Sequence, residues 1–218
     1  MYIPDHFRPT DDDVRGLLAN IRAADLISAT GDGLLATMLP LIFEPPGASD
    51  EAGEHGRLLG HVARNNRQWK TEPLGEAMAI VRGPDAYISP AWYPTKREHG
   101  RVVPTWNYVT AHVHGPLVIH DDPAWVEANV RALSDRHEAG RAEPWSVDDA
   151  PLPYIAGQIR AIVGVELRIT RVEAKVKLSQ NRSTEDVDGA IAGLEAERTG
   201  GPADLAAAEA MRRERARR

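Results

Sequence analysis

The alternation of apolar and polar positions divides the chain into an opening helix, a long β-rich middle and a helical end. Val14, Leu17, Leu18 and Ile21 recur at the i, i+3, i+4, i+7 spacing of one helix face. Thr10 stands at the N-cap, and Asp11, Asp12 and Asp13 complement the positive end of the helix dipole. After Asp25 the period shortens. LISAT and LLATMLPLIFE read as two strands joined by a tight hairpin at Gly31-Asp32-Gly33. PPGASDEAGEHG at 45–56 is a polar loop, RLLGHVA a strand, and NNRQWKTEPLG a short helix ending at Gly75. EAMAIVRG and DAYIS read as two further strands, then a proline-rich loop, then strands over 105–114 and 116–120. Asp122-Pro123 opens a helix with proline at its first position; Trp125, Val126, Val130 and Leu133 give it one apolar side and Gly140 closes it. IRAIVGVELRITRVEAKVKLSQ is a long β-rich run expected to bend near Gly164, and the chain is helical from about Thr184, with a Gly-Gly-Pro break at 200–202. This succession predicts a mainly β protein with α elements, a closed antiparallel barrel dressed with helices. It divides into a barrel domain over 1–183 and a helical extension with a basic tail over 184–218.

Composition narrows the function. At 218 residues the chain can build one full core, and 42% hydrophobic residues fits a globular protein. The net charge is 26 − 32 = −6, a poor balance for general nucleic-acid binding, which needs a basic surface. With no cysteine there is no disulfide, thiolate nucleophile, zinc–thiolate or iron–sulfur site. MYIPDHFRPTDDD lacks the basic start and apolar run of a signal peptide, and no apolar stretch approaches the roughly 20 residues of a membrane span. A soluble, cytoplasmic protein with no membrane partner is expected.

Several constellations can carry chemistry. GHVARNN at 60–66 reads as a strand running into a helix N-terminus, and Arg64, Arg67 and Lys70 add charge. That is a seat for phosphate or carboxylate, or else a strand end with solvated basic residues. His61 is a candidate ligand for a metal or heme iron, with a hydrogen-bonded core histidine as the alternative. His112 and His114 lie two apart on a strand, so they share a face and can chelate a metal or serve as polar residues of a pocket. In KLSQNR at 177–182, Ser179, Asn181 and Arg182 can bond phosphate oxygens or form a strand end and turn. The segment GPDAYISPAWYPTKREHGRVVPTWNY from Gly83 to Tyr108 is rich in aromatic and charged residues, a composition more common in binding loops than in connectors. Trp92, Tyr93 and Trp106 offer flat faces for a planar ring system or for core packing. Arg212, Arg213, Arg215, Arg217 and Arg218 form a basic tail that can meet DNA or cap a helix C-terminus. There is no Walker loop, no G-x-G-x-x-G after a strand and no triad motif. Together these residues describe a barrel with a pocket for a flat, anionic ligand.

From Met1 to about Gly193 the chain resembles the PaiB family of FMN-binding negative transcriptional regulators. The resemblance rests on MYIPDHF, GHVAR, the 83–108 segment, PW at 144–145, RAIVGVE at 160–166 and KLSQNR. It implies the FMN-binding split barrel of pyridoxamine-phosphate oxidases, a homodimer with cofactor sites near the subunit interface, and a small-molecule ligand or substrate. By that similarity His61, Arg64, Asn65 and Lys70 would help hold the flavin phosphate, with Trp92, Trp106, Ser179, Asn181 and Arg182 as further cofactor contacts. A related branch, the piperazate synthases, uses heme to form an N–N bond in an N-hydroxylated ornithine. On that alternative heme b would take His61 as axial ligand, and Arg64, Tyr93 and Lys96 would orient the substrate. A flavin oxidoreductase is a third reading. The family pattern implies histidine where this chain has Met38 and tryptophan where it has Val176, an exchange that removes a large ring beside the expected pocket.

Overall fold

A reciprocal capping box starts helix α1 (Asp11–Ala19). The Asp13 N–H donates to Thr10 Oγ1 at 3.2 Å and the Thr10 N–H to Asp13 Oδ2 at 3.1 Å. The hairpin follows as β1 (Ala23–Thr30) and β2 (Gly33–Glu44), closed at Thr30 opposite Gly33, whose φ of 111° needs the freedom of glycine. The remaining strands are β3 (Arg57–Ala63), β4 (Ala77–Ile88), β5 (Thr105–Gly115), β6 (Leu117–His120), β7 (Ile162–Arg168) and β8 (Arg171–Lys177). The other helices are α2 (Thr95–His99), α3 (Pro123–Glu138), α4 (Leu152–Arg160), α5 (Thr184–Ala196) and α6 (Gly201–Ala216). This is a computed structural model, and it describes residues 1–49, 53–196 and 201–217. Part of the 45–56 loop, the start of the Gly-Gly-Pro break at 200–202 and Arg218 lie outside the described residues.

The strands form one sheet in the order β6-β7-β3-β2-β1-β4-β5-β8. β6 and β8 stand at the two ends of this order. β7 enters between β6 and β3, antiparallel to both, and sets the register His61 opposite Gly164 and Gly164 opposite His120.

Two compact units share the chain. The first comprises 1–14, 82–111 and the residues from Ala174 onward; the second comprises 15–81 and 112–173. In the second unit, α3 and the inner faces of β2, β3 and β7 bury Leu39, Leu41, Leu58, Val62, Val126, Val163 and Val165. In the first, α5 and α6 pack Val187, Ala190, Leu194, Ala208 and Met211 against Ile88, Tyr93 and Leu178.

The structure corrects four local expectations. Residues 64–75 form turns, not a helix, because Asn66 Oδ1 takes the Gln68 N–H at 2.8 Å and Gln68 reaches across to β1, so side chains replace the helical ladder. EAMAIVRG and DAYIS are one continuous strand, β4. The run beginning at Ile159 starts inside α4, which the period did not reveal. Its break falls between Arg168 and Arg171, not at Gly164. Gly164 instead leaves room for a ring: a Cβ there would stand 2.2 Å from the Trp125 indole.

Candidate functional site

Residues directly opposite in an antiparallel ladder project to one face. His61, Gly164 and His120 therefore form a row across β3, β7 and β6. Asp122 caps α3 through the Ala124 and Trp125 N–H groups, each at 3.3 Å, and this sets Trp125 over the row. Its ring lies parallel to His120, with centroids 4.0 Å apart. His120 Nε2 meets Glu166 Oε2 at 2.7 Å. Glu166 is fully buried and also accepts from Arg168 Nε at 2.8 Å, with Arg57 at 3.5 Å. His61 is half-buried, and its Nδ1 has no hydrogen-bond partner. Burial lowers its pKa, which leaves a neutral imidazole with a free lone pair.

The turn after β3 was expected to seat an anion. Arg64 is already committed there: it grips both Asp121 oxygens, at 3.1 and 2.5 Å, and donates to the carbonyls of Arg160 at 2.6 Å and Ile162 at 3.1 Å. It clamps the end of α4 to β7 and β6, and its charge is balanced. Arg67 pairs with Asp32 at 3.2 Å. Asn65 is exposed. Lys70 differs, because no carboxylate among the described residues pairs with it; its ammonium lies 5.4 Å over the Trp69 ring. The Trp69 indole N–H donates to the Arg64 carbonyl at 2.9 Å.

A cleft of about 130 Å³ opens between residues 68–73 and Leu117 and Ile119 of β6. Gln68 is buried at its base. Its Nε2 donates to Leu26 O and Ser28 Oγ, both at 3.0 Å, while its Oε1 is buried without a donor. Glu72 shares the wall with Lys70. The volume is well below the roughly 300–1,000 Å³ that encloses a drug-sized ligand, so this cleft alone cannot enclose one. Sequence reasoning missed Gln68 and Trp69, because the partners that define them lie in β1 and at the end of β3.

The other candidates belong to the first unit. Trp92 lies on α5 and fills the space beside Gly193, where a Cβ would come within 2.3 Å of the indole. Tyr93 is buried under the Arg182 guanidinium, 5.1 Å above its ring. Its hydroxyl lies near Ser179 and Arg182 without a well-aligned bond, and burial raises its pKa against the pull of Arg182. Ser179 is buried at a φ of 66°, and exchanges hydrogen bonds of 3.0 and 3.2 Å with Asn107. These residues close the core beneath α5 and α6. Asn181 and Lys96 are exposed, and Trp106 is half exposed with its indole N–H on Asp85 at 3.0 Å. Val176 is partly buried against that core. The basic tail is the end of α6, with its described charges paired: Arg212 with Glu195, Arg213 with Glu209 at 2.9 Å, Arg215 with Asp188 at 2.6 Å and Arg217 with Asp13 at 2.5 Å.

With the fold and these residues in place, the comparisons decide the family. The model of the family described as "Putative FMN-binding domain" matches residues 1–171. The chain belongs to this family. It is 29% identical over 199 residues to the protease synthase and sporulation protein PAI 2 of Bacillus subtilis, covering 90% of each chain. It is 32% identical over 184 residues to an uncharacterized protein of Emericella nidulans, covering 72% of this chain and 73% of that one. Among solved structures it resembles the flavocytochrome Anf3 of Azotobacter vinelandii, with a TM-score of 0.53 at 17% identity over 78% of this chain and 68% of that one. It also resembles the FAD and heme binding protein of Mycobacterium smegmatis, with a TM-score of 0.53 at 16% identity over 79% and 74%. These likenesses establish the split-barrel fold for this chain. No helix among the described residues is long and apolar enough to cross a membrane.

Proposed function

We propose that the protein binds FMN as a cytoplasmic homodimer, with the cleft between residues 68–73 and β6 supplying one wall of each site. The observation that carries this reading is the buried, donor-less Oε1 of Gln68 at the base of a cleft edged by the unpaired ammonium of Lys70. A flavin carries both complements: ribityl hydroxyls and a ring N–H that donate, and a phosphate that attracts a cation. Lys70 would hold the phosphate, Gln68 a ribityl or ring donor, and Trp69 an apolar face of the ligand. Bound FMN would supply redox chemistry or a ligand-sensing signal. The role in transcription is supported by the resemblance to PaiB regulators. The paired arginines of α6 give DNA binding no support of their own.

Dimerisation has a support of its own in β2. Leu34, Ala36, Met38 and Pro40 alternate along one face and are all exposed, Leu34 at 76% and Met38 at 73%. Their partners on β1 are Ala29, Ile27, Asp25 and Ala23, so Asp25 is the one charged residue of the row. An exposed, largely apolar sheet face of this kind supports an interaction surface. A second copy covering it would complete a site that one chain provides only in part.

The test is a fluorescence titration of the purified protein with FMN and with riboflavin. Wild type should quench FMN with at least tenfold tighter binding than riboflavin. Lys70→Ala should erase that preference, and Gln68→Leu should weaken both ligands. Equal affinity for the two flavins in wild type, or none for either, overturns the reading.

One observation favours a second reading. The neutral His61 imidazole with an unpartnered Nδ1 suits an axial heme ligand. A heme-dependent enzyme acting on an N-hydroxylated amino acid would then show a Soret band on adding hemin, lost in His61→Ala. An unchanged band in that variant rules it out.

A further inference from the structure

In the second unit, His112 and His114 share one face of β5, and Glu173 stands on the neighbouring edge strand β8. One ligand atom from each of the three lies within 4.8 Å of the others. We propose that these side chains form a site for a divalent transition metal such as zinc, distinct from the flavin cleft, and that Arg171 acts as its gate. Two histidines and one carboxylate on adjoining strands are a familiar donor set for such ions, leaving further positions open to water or to a small anion.

The present occupant supports the site. The Arg171 guanidinium donates to Glu173 Oε1 at 2.7 Å and lies 3.0 Å from His114 Nδ1, so a cation already sits against two of the three ligands. It is a displaceable cation, because the Arg171 side chain is half exposed on an edge strand. His114 has nothing else to do with its ring: its Nε2 is buried without a hydrogen-bond partner, a polar atom the protein leaves unused. Burial, then the charge of Arg171, lowers the pKa of His114, which favours the neutral ring that a ligand needs. Beside the three ligands stand the Glu76 carboxylate and the Arg171 guanidinium, and the terminal ammonium and Arg171 both hold the Glu173 carboxyl below its ordinary pKa. Glu76 accepts from Thr170 Oγ1 at 2.7 Å and lies 3.9 Å from Arg171, so it can receive the guanidinium once it leaves.

The geometry is open rather than closed. Metal bonds of about 2.1 Å need ligand atoms roughly 3.4 Å apart, so the three side chains must draw together by about an ångström. Side-chain rotation on a fixed pair of strands supplies that. The backbone is held independently, by the Thr170 N–H on the His114 carbonyl at 2.9 Å.

The experiment uses untagged full-length protein stripped with chelator and titrated with cobalt(II) and then zinc(II). Absorption bands of the bound cobalt and calorimetry are the readouts. Wild type should bind one equivalent per chain. Arg171→Ala should bind at least tenfold more tightly, because the competing cation is gone. Glu173→Gln and His112→Ala should each weaken binding at least a hundredfold while keeping the wild-type thermal midpoint without metal. Arg171→Ala binding no more tightly than wild type overturns the gate. Binding that survives both ligand substitutions, or no binding in wild type and Arg171→Ala alike, overturns the site.

Discussion

At the scale of single residues, Glu166 concentrates the electrostatic risk of the molecule. It is fully buried among Arg57, Arg168 and His120, and Arg57 is itself 8% exposed and paired with Glu44 at 2.6 Å. Burial pushes the Glu166 pKa up, but the hydrogen bonds from Arg168 and His120 and the nearby guanidinium charges outweigh it, so the folded value lies below the ordinary 4.5. A carboxylate with a depressed folded pKa stabilises the fold at pH above its unfolded value. That contribution drains away as pH falls from about 4.5 through the folded value. Urea unfolding across pH 3–7 should therefore show stability falling on the acid side, and Glu166→Gln, which does not titrate, should flatten that limb. Glu166→Ala leaves buried Arg57 with a missing partner and should cost about 3–5 kcal/mol at neutral pH. A loss below about 1 kcal/mol would mean that water reaches the cluster and solvates it. This was not legible in the chain: the glutamate that ends RAIVGVE reads as the polar side of a strand, and only the insertion of β7 between β6 and β3 encloses it.

At the scale of elements, periodicity was a reliable guide where one element's own residues decide its form. Thr10 and Asp13 cap α1, Gly33 turns the β1–β2 hairpin, and Asp122 starts α3, all from local chemistry. It failed where distant partners decide. The 64–75 segment has helix-compatible residues, but Gln68 is anchored 40 residues away on Ser28, and Trp69 and Asn66 bend the backbone into turns around it. α4 was hidden because Pro151 and Pro153 flank its first residue, and only Gln158 and Arg160 interrupt the apolar run of LPYIAGQIR before IVGVEL. On β2 the apolar run LLATMLPLIFE leaves its even-numbered positions from 34 to 40 exposed. If a second copy covers them, Met38→Glu places a charge opposite its equivalent or against apolar atoms. Size-exclusion chromatography with light scattering should then read a dimer for wild type and a monomer for the variant, with the thermal midpoint of each unit retained. Met38→Leu should remain dimeric. A wild-type monomer at the concentrations used for flavin titration would remove the dimer from the proposed site.

At the scale of the whole molecule, the sequence suggests a barrel over 1–183 followed by a helical extension over 184–218. The compact unit that contains α5 and α6 also contains 82–111 and the start of the chain. Its core joins Ile88, Tyr93 and Leu178 to Val187, Leu194, Ala207 and Met211. The KLSQNR cluster, legible in the sequence as a candidate anion site, earns its polar residues here: Asn107 bridges Ser179 and the Met211 sulfur at 3.0 and 3.3 Å, and Asp186 binds the Thr95 hydroxyl and N–H. Motif reading found these residues because they are chemically unusual, but could not tell a ligand's partners from a helix's partners. Removing 184–218 should therefore uncover Tyr93, Ile88 and Leu178 together, and each fully buried side chain of that size is worth about 1.5–3 kcal/mol. That sum rivals the few kcal/mol by which a domain is stable. The truncated chain should lose its cooperative thermal transition or fail to accumulate as soluble protein, while a chain cut after Arg212 should keep both. A 1–183 fragment that melts at the wild-type temperature would restore the appended-helix organisation, with α5 and α6 as a detachable module.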